Sequence, residues 1–330
     1  MSTPFAQAEV DNFVTVCDYP SAMRIIRGVK NYTERLPNPV LTLGNFDGVH
    51  LGHQAIFQKV VERATRIKGT SIAFTFEPHP LKVLAPERSP RLLNTFHGKM
   101  RLFEAACIQV VVCAHFNRSF ADQNPEDFAR EVLHKLLGVR EVYVGYDYAF
   151  GKGREGSIES LKRMGQAYGF EVGVIEPVRV DGVVVSSSAV RDLVVNGRVE
   201  EAARLLGRHY AIEGEVVHGA HRGQSLGFPT ANLKTANELI PGIGVYAVIA
   251  HVGGCDIKGV ASIGIRPTFD SGPVSIEVYL FDLNEDLYGK SMDVSFVKRL
   301  RGEEKFSNAD ALVQQIRKDV QDAQEVLKVL

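Results

Sequence analysis

The chain has almost no net charge to spend on a polyanion: 38 lysines and arginines face 39 aspartates and glutamates, a balance of -1 at neutral pH. That excludes the broad basic footprint with which proteins hold nucleic acid or an anionic membrane, whereas a small anionic ligand needs only local positive charge. Long apolar runs are missing as well, and nothing approaches the roughly 18 residues of a membrane span. The opening MSTPFAQAEVDNF lacks the basic region and apolar core of a secretory leader, so a cytoplasmic location is expected. Cysteine is scarce. Cys17, Cys107, Cys113 and Cys255 show no CxxC or other zinc-like spacing, and they are expected as buried free thiols rather than metal ligands. Neither an internal repeat nor a low-complexity tract occurs, and oligomeric state is not legible at this level.

What is present is an ordinary globular mixture, 45% hydrophobic and 23% charged, in 330 residues, long enough for two domains. From Pro39 to about Pro177 strand-like and helical stretches alternate. Apolar runs at Pro39–Leu43, Ser71–Phe76, Gln109–Cys113, Glu141–Gly145 and Phe170–Ile175 are separated by helical patterns at 51–67, 98–106, 125–137 and 157–168. This order predicts a parallel sheet covered by helices on both faces, with ligands beyond the carboxyl ends of its strands. After Ser186 the character changes. A helical connector over 188–206 leads into short β-like runs rich in Gly and Pro, at 212–217, 244–251, 258–263, 274–281 and 291–297, which predict an antiparallel barrel or sandwich. From Asn308 to Val329 an apolar stripe of Ala311, Leu312, Ile316, Val320, Ala323 and Val326 predicts an amphipathic helix packed on that β unit.

The densest chemical signal is GNFDGVHLGH, Gly44–His53, between the first buried run and the helix from Leu51. A strand-turn-helix junction is an anion site: Gly44 and Gly48 let backbone approach a phosphate, and the amides and dipole at the helix start favour negative charge. His50 and His53 can donate hydrogen bonds to phosphoryl oxygens whose charge grows as pyrophosphate leaves. In TFEPHP, Thr75–Pro80, two prolines either hold His79 in a rigid loop or simply end the strand. VGYDYAFGKGREG, Val144–Gly156, offers aromatics to flank a planar ring and Asp147 to meet its polar edge. SSSAVR, Ser186–Arg191, is an N-cap that also suits a triphosphate.

In the second half GEVVHGAHRGQSLGFPTAN, Gly214–Asn232, is a glycine-dense loop in which the oxygens of Thr230 and Asn232 can face a magnesium ion carrying nucleotide phosphates. Glu277, mid-strand in VSIEVYLFDLNEDLYGK, is placed by period two on one face with Ser275 and Tyr279, either as part of a solvated face or as a functional carboxylate.

The Gly44–His53 string resembles the GxFDGxHxGH element of the HxGH nucleotidyltransferases, and its Phe46-Asp47-Gly48 centre points to their flavin-adenylating branch. The string Gly227–Asn232 resembles the flavokinase PTAN element. With the motifs in order from Pro39 to the final helix, the chain is similar to the bacterial bifunctional riboflavin kinase/FAD synthetases. The resemblance implies an α/β plus β molecule: a Rossmann-like HxGH nucleotidyltransferase domain over 1–187, then a flavokinase-type antiparallel β-barrel with a C-terminal helix over 188–330, of which 188–208 is a helical connector.

It further implies phosphorylation of riboflavin to FMN, then adenylation of FMN to FAD with release of pyrophosphate. FMN and FAD are then substrate and product rather than prosthetic groups, and magnesium travels with ATP. His50, His53, Arg191 and Glu277 are the implied catalytic residues, Glu277 as the base that takes the proton of the riboflavin hydroxyl. The implied ATP contacts in the first half are Gly44, Phe46, Asp47, Gly48, His50, His53, Ser187 and Arg191. In the second half they are Gly219, Arg222, Gly227, Pro229, Thr230 and Asn232, with Thr230 and Asn232 at the metal. His79, Asp147, Tyr148 and Phe150 are the implied flavin contacts, joined by Arg301 from FVKRLRGEEKF. The chain departs from the family pattern at His221, Gln224, Tyr279 and Ser188, none of which removes a proposed catalytic group. Two other readings stay open: an adenylyltransferase whose barrel has lost its kinase activity, and a non-enzymatic flavin sensor. A tRNA synthetase shares the HxGH idea, but the chain has no KMSKS-like loop.

Overall fold

The structure is a computed structural model that describes residues 23–219, 227–265, 274–283 and 285–330. Cys17, the opening MSTPFAQAEVDNF stretch, His221, Arg222 and Gln224 lie outside the described residues. The chain divides into two compact units: residues 23–91 with 96–186 form one, and 187–330 with Leu92–Thr95 form the other.

In the first unit six strands, β1 (Arg24–Arg27), β2 (Val40–Leu43), β3 (Ser71–Glu77), β4 (Val110–His115), β5 (Glu141–Gly145) and β6 (Glu171–Ile175), form one parallel sheet in the order β1-β4-β3-β2-β5-β6. Its inner strands are near-continuous apolar runs because both faces are covered. Helices α1 (Leu51–Arg66), α2 (Pro80–Leu84), α3 (Phe96–Ala105), α4 (Arg118–Ala121), α5 (Pro125–Asp127) and α6 (Ile158–Tyr168) connect the strands, and α5 widens into a π-helical stretch, Phe128–Leu136. On one face Phe57 and Val60 of α1 and Phe103 of α3 pack with Val40, Ala73 and Val111. On the other Phe128, Leu133 and Leu161 pack with Leu41, Ile72, Val112 and Val142. The alternation of these sheet residues is the period of two that a two-sided sheet demands. Chain order reverses between β2 and β5, which makes that gap the switch point where such sheets take ligands.

The charged residue that matters most in this packing is Glu141, buried at the start of β5. Arg63, in the last turn of α1, donates from Nη2 and Nε to its two oxygens at 2.6 and 2.8 Å, and the Tyr143 hydroxyl donates to it at 2.9 Å. The Arg63 hydrogen bond holds the Glu141 carboxyl below the usual carboxylate range, against the upward push of burial. Burial and the same carboxylate push the Tyr143 phenol up to about 12.

After β6 a short hairpin, β7 (Arg179–Val180) and β8 (Val183–Val184), turns at Asp181 and Gly182, both at positive φ, 50° and 80°. In the second unit α7 (Ser187–Val195) and α8 (Val199–Leu206) precede a closed antiparallel barrel. It is built from β9 (Tyr210–Val217), β10 (Ala231–Thr235), β11 (Gly244–Val252), β12 (Cys255–Ile265), β13 (Val274–Leu280) and β14 (Ser291–Arg301), in the order β10-β13-β12-β11-β14-β9. The helical connector is made of two helices. The break falls at Gly197, φ 72°, where a Cβ would lie 2.8 Å from the Tyr246 hydroxyl, so the turn sits directly on the barrel wall. Residues 92–95 are held to this unit by the Tyr210 hydroxyl donating to Leu93 O at 3.0 Å and by Leu92 N donating to Glu238 Oε2 at 2.9 Å.

The last helix, α9 (Ala309–Leu327), is capped by the Asn308 side chain, which accepts from Ala311 N at 2.8 Å. As its stripe predicts, it packs on the barrel, burying Ala323 and Leu327 against Val245, Ala247, Val260 and Val297. Arg301 at the end of β14 forms two 2.8 Å bonds to Asp319, and Lys258 donates to the Leu327 carbonyl at 2.6 Å.

The cysteines correct one expectation. Cys113 is a buried free thiol, but Cys255 is exposed in the tight β11–β12 connection.

Glu141→Gln is expected to lower the thermal midpoint of the α/β unit at pH 7. Because the folded pKa of Glu141 lies below its ordinary 4.5, the ionised pair contributes above that pH and the contribution is lost as pH falls through the depressed value. The gap between variant and parent therefore closes on acidification, which differential scanning calorimetry at pH 7 and in buffers well below pH 4.5 measures.

Candidate functional site

At the carboxyl end of β2 the chain leaves the sheet at Gly44, whose N–H donates to Phe74 O on β3 at 3.1 Å. It then makes three left-handed steps, at Phe46 (φ 51°), Gly48 (φ 85°) and Val49 (φ 40°), before α1 begins. Two of the three are not glycine and one is β-branched, a costly backbone that persists only where the surroundings enforce it. The Phe46 ring provides part of that enforcement. It is buried against Phe57 and Phe103 at 4.8 and 5.7 Å, and a Cβ on Gly44 would lie 2.9 Å from it. Phe46 therefore serves the turn from the core side, with its ring out of a ligand's reach.

His50 is the N-cap of α1 and makes no side-chain cap bond. Its ring folds back on His53, the two stacked at 3.7 Å with 20° between planes, and Phe46 meets His53 edge-on at 5.3 Å. A Cβ on Gly52 would stand 3.1 Å from the His50 ring and 3.8 Å from Val185 O. That makes Gly52 part of the motif's mechanics, a role the H-x-G-H spacing carries but the sequence reading passed over. His50 and Asp47 are buried, each at 6% exposure or thereabouts. Among the described residues, Thr42 Oγ1 and Asn45 Oδ1 are buried polar atoms with no hydrogen-bond partner, as at a place built for a ligand or water.

The neighbouring strand ends bring in the other two motifs of this unit. Beyond β3, His79 caps α2, its Nδ1 accepting from Leu81 N at 3.2 Å, which leaves the proton on Nε2. Beyond β5, the exposed Asp147 and Tyr146 stand on the other side of β2. Tyr148 stacks on Phe150 at 5.6 Å and 17°, and Phe150 is itself part of the core beneath, bridged to Gly156 by two backbone bonds. Gly44–His53, His79 and Asp147 thus occupy one rim of the sheet, across the switch point. Ser187 and Arg191 fall on α7, in the barrel unit.

One buried residue under this rim was absent from the sequence reading. Lys99 on α3 is 9% exposed, with Nζ 3.4 Å from Asn45 O and 3.5 Å from Thr75 Oγ1. Its signal is a lysine inside the buried stripe that also holds Met100 and Phe103.

In the barrel unit Asn232 of β10 lies directly opposite Glu277 of β13, and Ser262 of β12 lies opposite Glu277 on its other side. Leu233, Ile276, Val278 and Ile263 point into the barrel, so Asn232, Ser262 and Glu277 share its outer face. The Thr230 hydroxyl donates to Glu277 Oε2 at 3.3 Å. A Cβ on Gly219 would fall 2.0 Å from the Asn232 amide, so only glycine at this position lets the backbone run against that side chain. Gly227, φ 84°, and Pro229 lead into β10, and Phe228 meets Tyr279 edge-on at 5.5 Å. Arg301, expected at a flavin, has its guanidinium engaged by Asp319 and stacked over Phe306 at 5.6 Å. Among the described residues no group of three or more His, Cys, Asp or Glu is placed to hold a metal ion.

Comparison with known proteins divides the chain the same way. A family model for FAD synthetase matches residues 33–189, and one for riboflavin kinase matches 206–327. The bifunctional riboflavin kinase/FMN adenylyltransferase of Escherichia coli K12 is 38% identical over 92% of this chain and 97% of its own. Its namesake from Haemophilus influenzae is 36% identical over 91% and 98%. A crystal structure named as a macrolide-efflux protein, from Streptococcus pneumoniae, superposes with a TM-score of 0.83 at 30% identity, covering 91% of this chain and 97% of that one. No described helix is long and apolar enough to cross a membrane. With both halves matched in order and over nearly the whole length, the chain belongs to the bifunctional riboflavin kinase/FMN adenylyltransferase family.

Proposed function

We propose that the chain phosphorylates riboflavin with ATP in its barrel unit and adenylates the resulting FMN to FAD in its α/β unit, with a boundary at residues 187 and 188. The observation that carries this is the separation of two unlike sites: a histidine pair at a helix start on the parallel sheet, and a Thr-Asn-Glu cluster on the barrel wall. Both reactions spend ATP, and we place the protein in the cytoplasm, where ATP is available.

For adenylation, the FMN phosphate oxygen attacks the α-phosphorus of ATP and pyrophosphate leaves. His50 and His53 donate to the phosphates at the amino end of α1, where the helix dipole adds to the attraction. Arg191 and Ser187 are assigned to the triphosphate on the family resemblance alone. Asp47, Gly48 and the backbone of the turn line the nucleotide, while His79, Asp147 and Tyr148 frame the flavin.

For phosphorylation, Glu277 takes the proton of the ribityl hydroxyl as it attacks the γ-phosphorus. Thr230 and Asn232 offer hard oxygen donors, which suit magnesium arriving on ATP phosphates. When bound there, magnesium neutralises the charge of the transferring phosphate. Thr230 has a second duty, since its hydroxyl orients the Glu277 carboxylate.

The test is chromatographic: riboflavin, ATP and magnesium with the purified chain should give FMN and then FAD. Conversion of supplied FMN alone would leave only the adenylyltransferase. Glu277→Gln is expected to cut FMN formation by roughly 10²- to 10⁴-fold and leave adenylation of supplied FMN unchanged. His53→Ala is expected to do the reverse, by roughly 10²- to 10³-fold. Equal damage to both activities by either change, in folded protein, would refute the two-site assignment. Gly219→Ala, which drives a methyl group into the Asn232 amide, is expected to slow FMN formation roughly 10- to 100-fold without touching adenylation.

A further inference from the structure

The turn that presents the two histidines is bent in a way its own sequence does not favour. Phe46 and Val49 are held at φ 51° and 40°, and Val49 is 2% exposed, so no solvent-side freedom relieves it. Non-glycine residues remain in this region only when neighbouring groups fix the chain on both sides. Beyond Val49, the Gln54 amide donates back to Val49 O at 2.8 Å. Before Phe46, the Asn45 carbonyl is turned inward, where the Thr75 hydroxyl and the Lys99 ammonium each reach it at 3.4 Å.

A lysine at that place is expensive. Position 99 sits in the buried stripe of α3, where an apolar side chain would cost nothing, whereas a buried ammonium loses most of its hydration. The charged and titratable groups that act on it are Glu77 of β3, Cys113 of β4 and Asp47 of the turn itself. No other part of the proposed chemistry uses this charge.

We propose that Lys99 is a positioning residue for adenylation: from beneath the Gly44–His53 turn it holds the Asn45 carbonyl inward and so sets the backbone from which His50 and His53 reach the phosphates. This rests on the assignment of those histidines to adenylation. Lys99 touches no substrate. Its positive charge also lies behind a turn whose outer side receives polyphosphate, so the same ammonium supports ligand charge from the protein side.

The ammonium must be protonated to act, and burial lowers its pKa from the ordinary lysine value, while the charges of Glu77, Cys113 and Asp47 oppose that fall. Adenylation should therefore lose activity on the alkaline side earlier than an exposed lysine would dictate. The Cys113 thiol also titrates there, its own pKa raised by burial and drawn back by Lys99, so Cys113→Ala serves as the control.

The experiment uses the full chain and follows conversion of supplied FMN to FAD across pH. Riboflavin phosphorylation in the same preparation reports folding. Lys99→Met is expected to lower kcat for adenylation roughly 10- to 100-fold with a smaller change in KM for ATP, leave phosphorylation within about twofold, and abolish the alkaline limb. Lys99→Arg, which keeps the charge, is expected to recover part of the rate with the limb moved out of range. Cys113→Ala should keep the limb. Adenylation within about twofold of the parent in Lys99→Met would overturn the proposal, as would a parallel loss of both activities, or an alkaline limb that survives in Lys99→Met or disappears in Cys113→Ala. Should Lys99→Met fold poorly, Lys99→Arg and the Cys113→Ala profile decide the matter. His53→Ala separates the two levels: if it spares adenylation, the histidine assignment fails; if it abolishes adenylation while Lys99→Met does not, only the role of Lys99 fails.

Discussion

The Arg63–Glu141 pair is the interaction on which the nucleotide end of the molecule depends, because it fixes the helix that carries both histidines. α1 starts in the ligand turn and ends at Arg63, whose two bonds to Glu141 tie the far end of the helix to the first residue of β5. A helix held at one end by a turn and at the other by a forked ion pair cannot slide or rotate without breaking one of them. The pair is sheltered, and losing either partner would strand a charge next to the sheet. The barrel repeats the device. Arg301 and Asp319 join the last strand to α9, and Lys258 holds the carbonyl at the end of that helix. In both units arginine does what lysine could not, since only a planar fork meets both carboxylate oxygens at once.

The two units place their reacting groups differently because their sheets leave different surfaces free. A parallel sheet covered on both faces has only its strand ends to offer, and the residues that meet there come from turns far apart in sequence, such as Gly44–His53, His79 and Asp147. A closed barrel has a filled interior and an outer wall. Its site is therefore drawn from neighbouring strands in register, with Asn232 and Ser262 on either side of Glu277.

The parts of this arrangement legible in the sequence were those written in period and glycine. VLTL and VVVCA are apolar throughout because they are buried on two faces, and the stripe of α9 ends where its contacts end. Three elements left no such trace. The edge strand β1, RIIR, puts a charge at either end of two apolar residues, and β10, ANLKT, buries only Leu233, so neither run resembles a core strand. The hairpin at Asp181-Gly182 did carry a legible turn signal, two residues suited to positive φ, but strands of two residues are too short to show alternation. Within the sites the histidines, Glu277 and the PTAN residues stood out by motif. The buried position of Phe46, the commitment of Arg301 to Asp319 and the presence of Lys99 under the turn depend on contacts between residues 11 to 57 positions apart, which no local spacing reports.

The chemistry of the two reactions explains why one site has a carboxylate positioned as a base and the other has imidazoles. In phosphorylation the nucleophile is an alcohol, neutral at physiological pH, whose proton must go somewhere as the bond to phosphorus forms; in the proposed assignment Glu277, held by the Thr230 hydroxyl, receives it. In adenylation the nucleophile is the FMN phosphate, already ionised, so a base would have nothing to remove. What the second reaction lacks is compensation for charge, since a dianionic phosphate must approach a triphosphate and drive out pyrophosphate. In the proposed site, donors, a helix amino end and a buried ammonium supply that compensation, and a free carboxylate aimed at the reacting phosphorus would oppose it. Of the acids in this unit, Asp47 has the charge of Lys99 close by, and Glu141 is neutralised by Arg63 at the far end of α1. The different residue sets follow from the protonation state of each nucleophile, with ATP common to both.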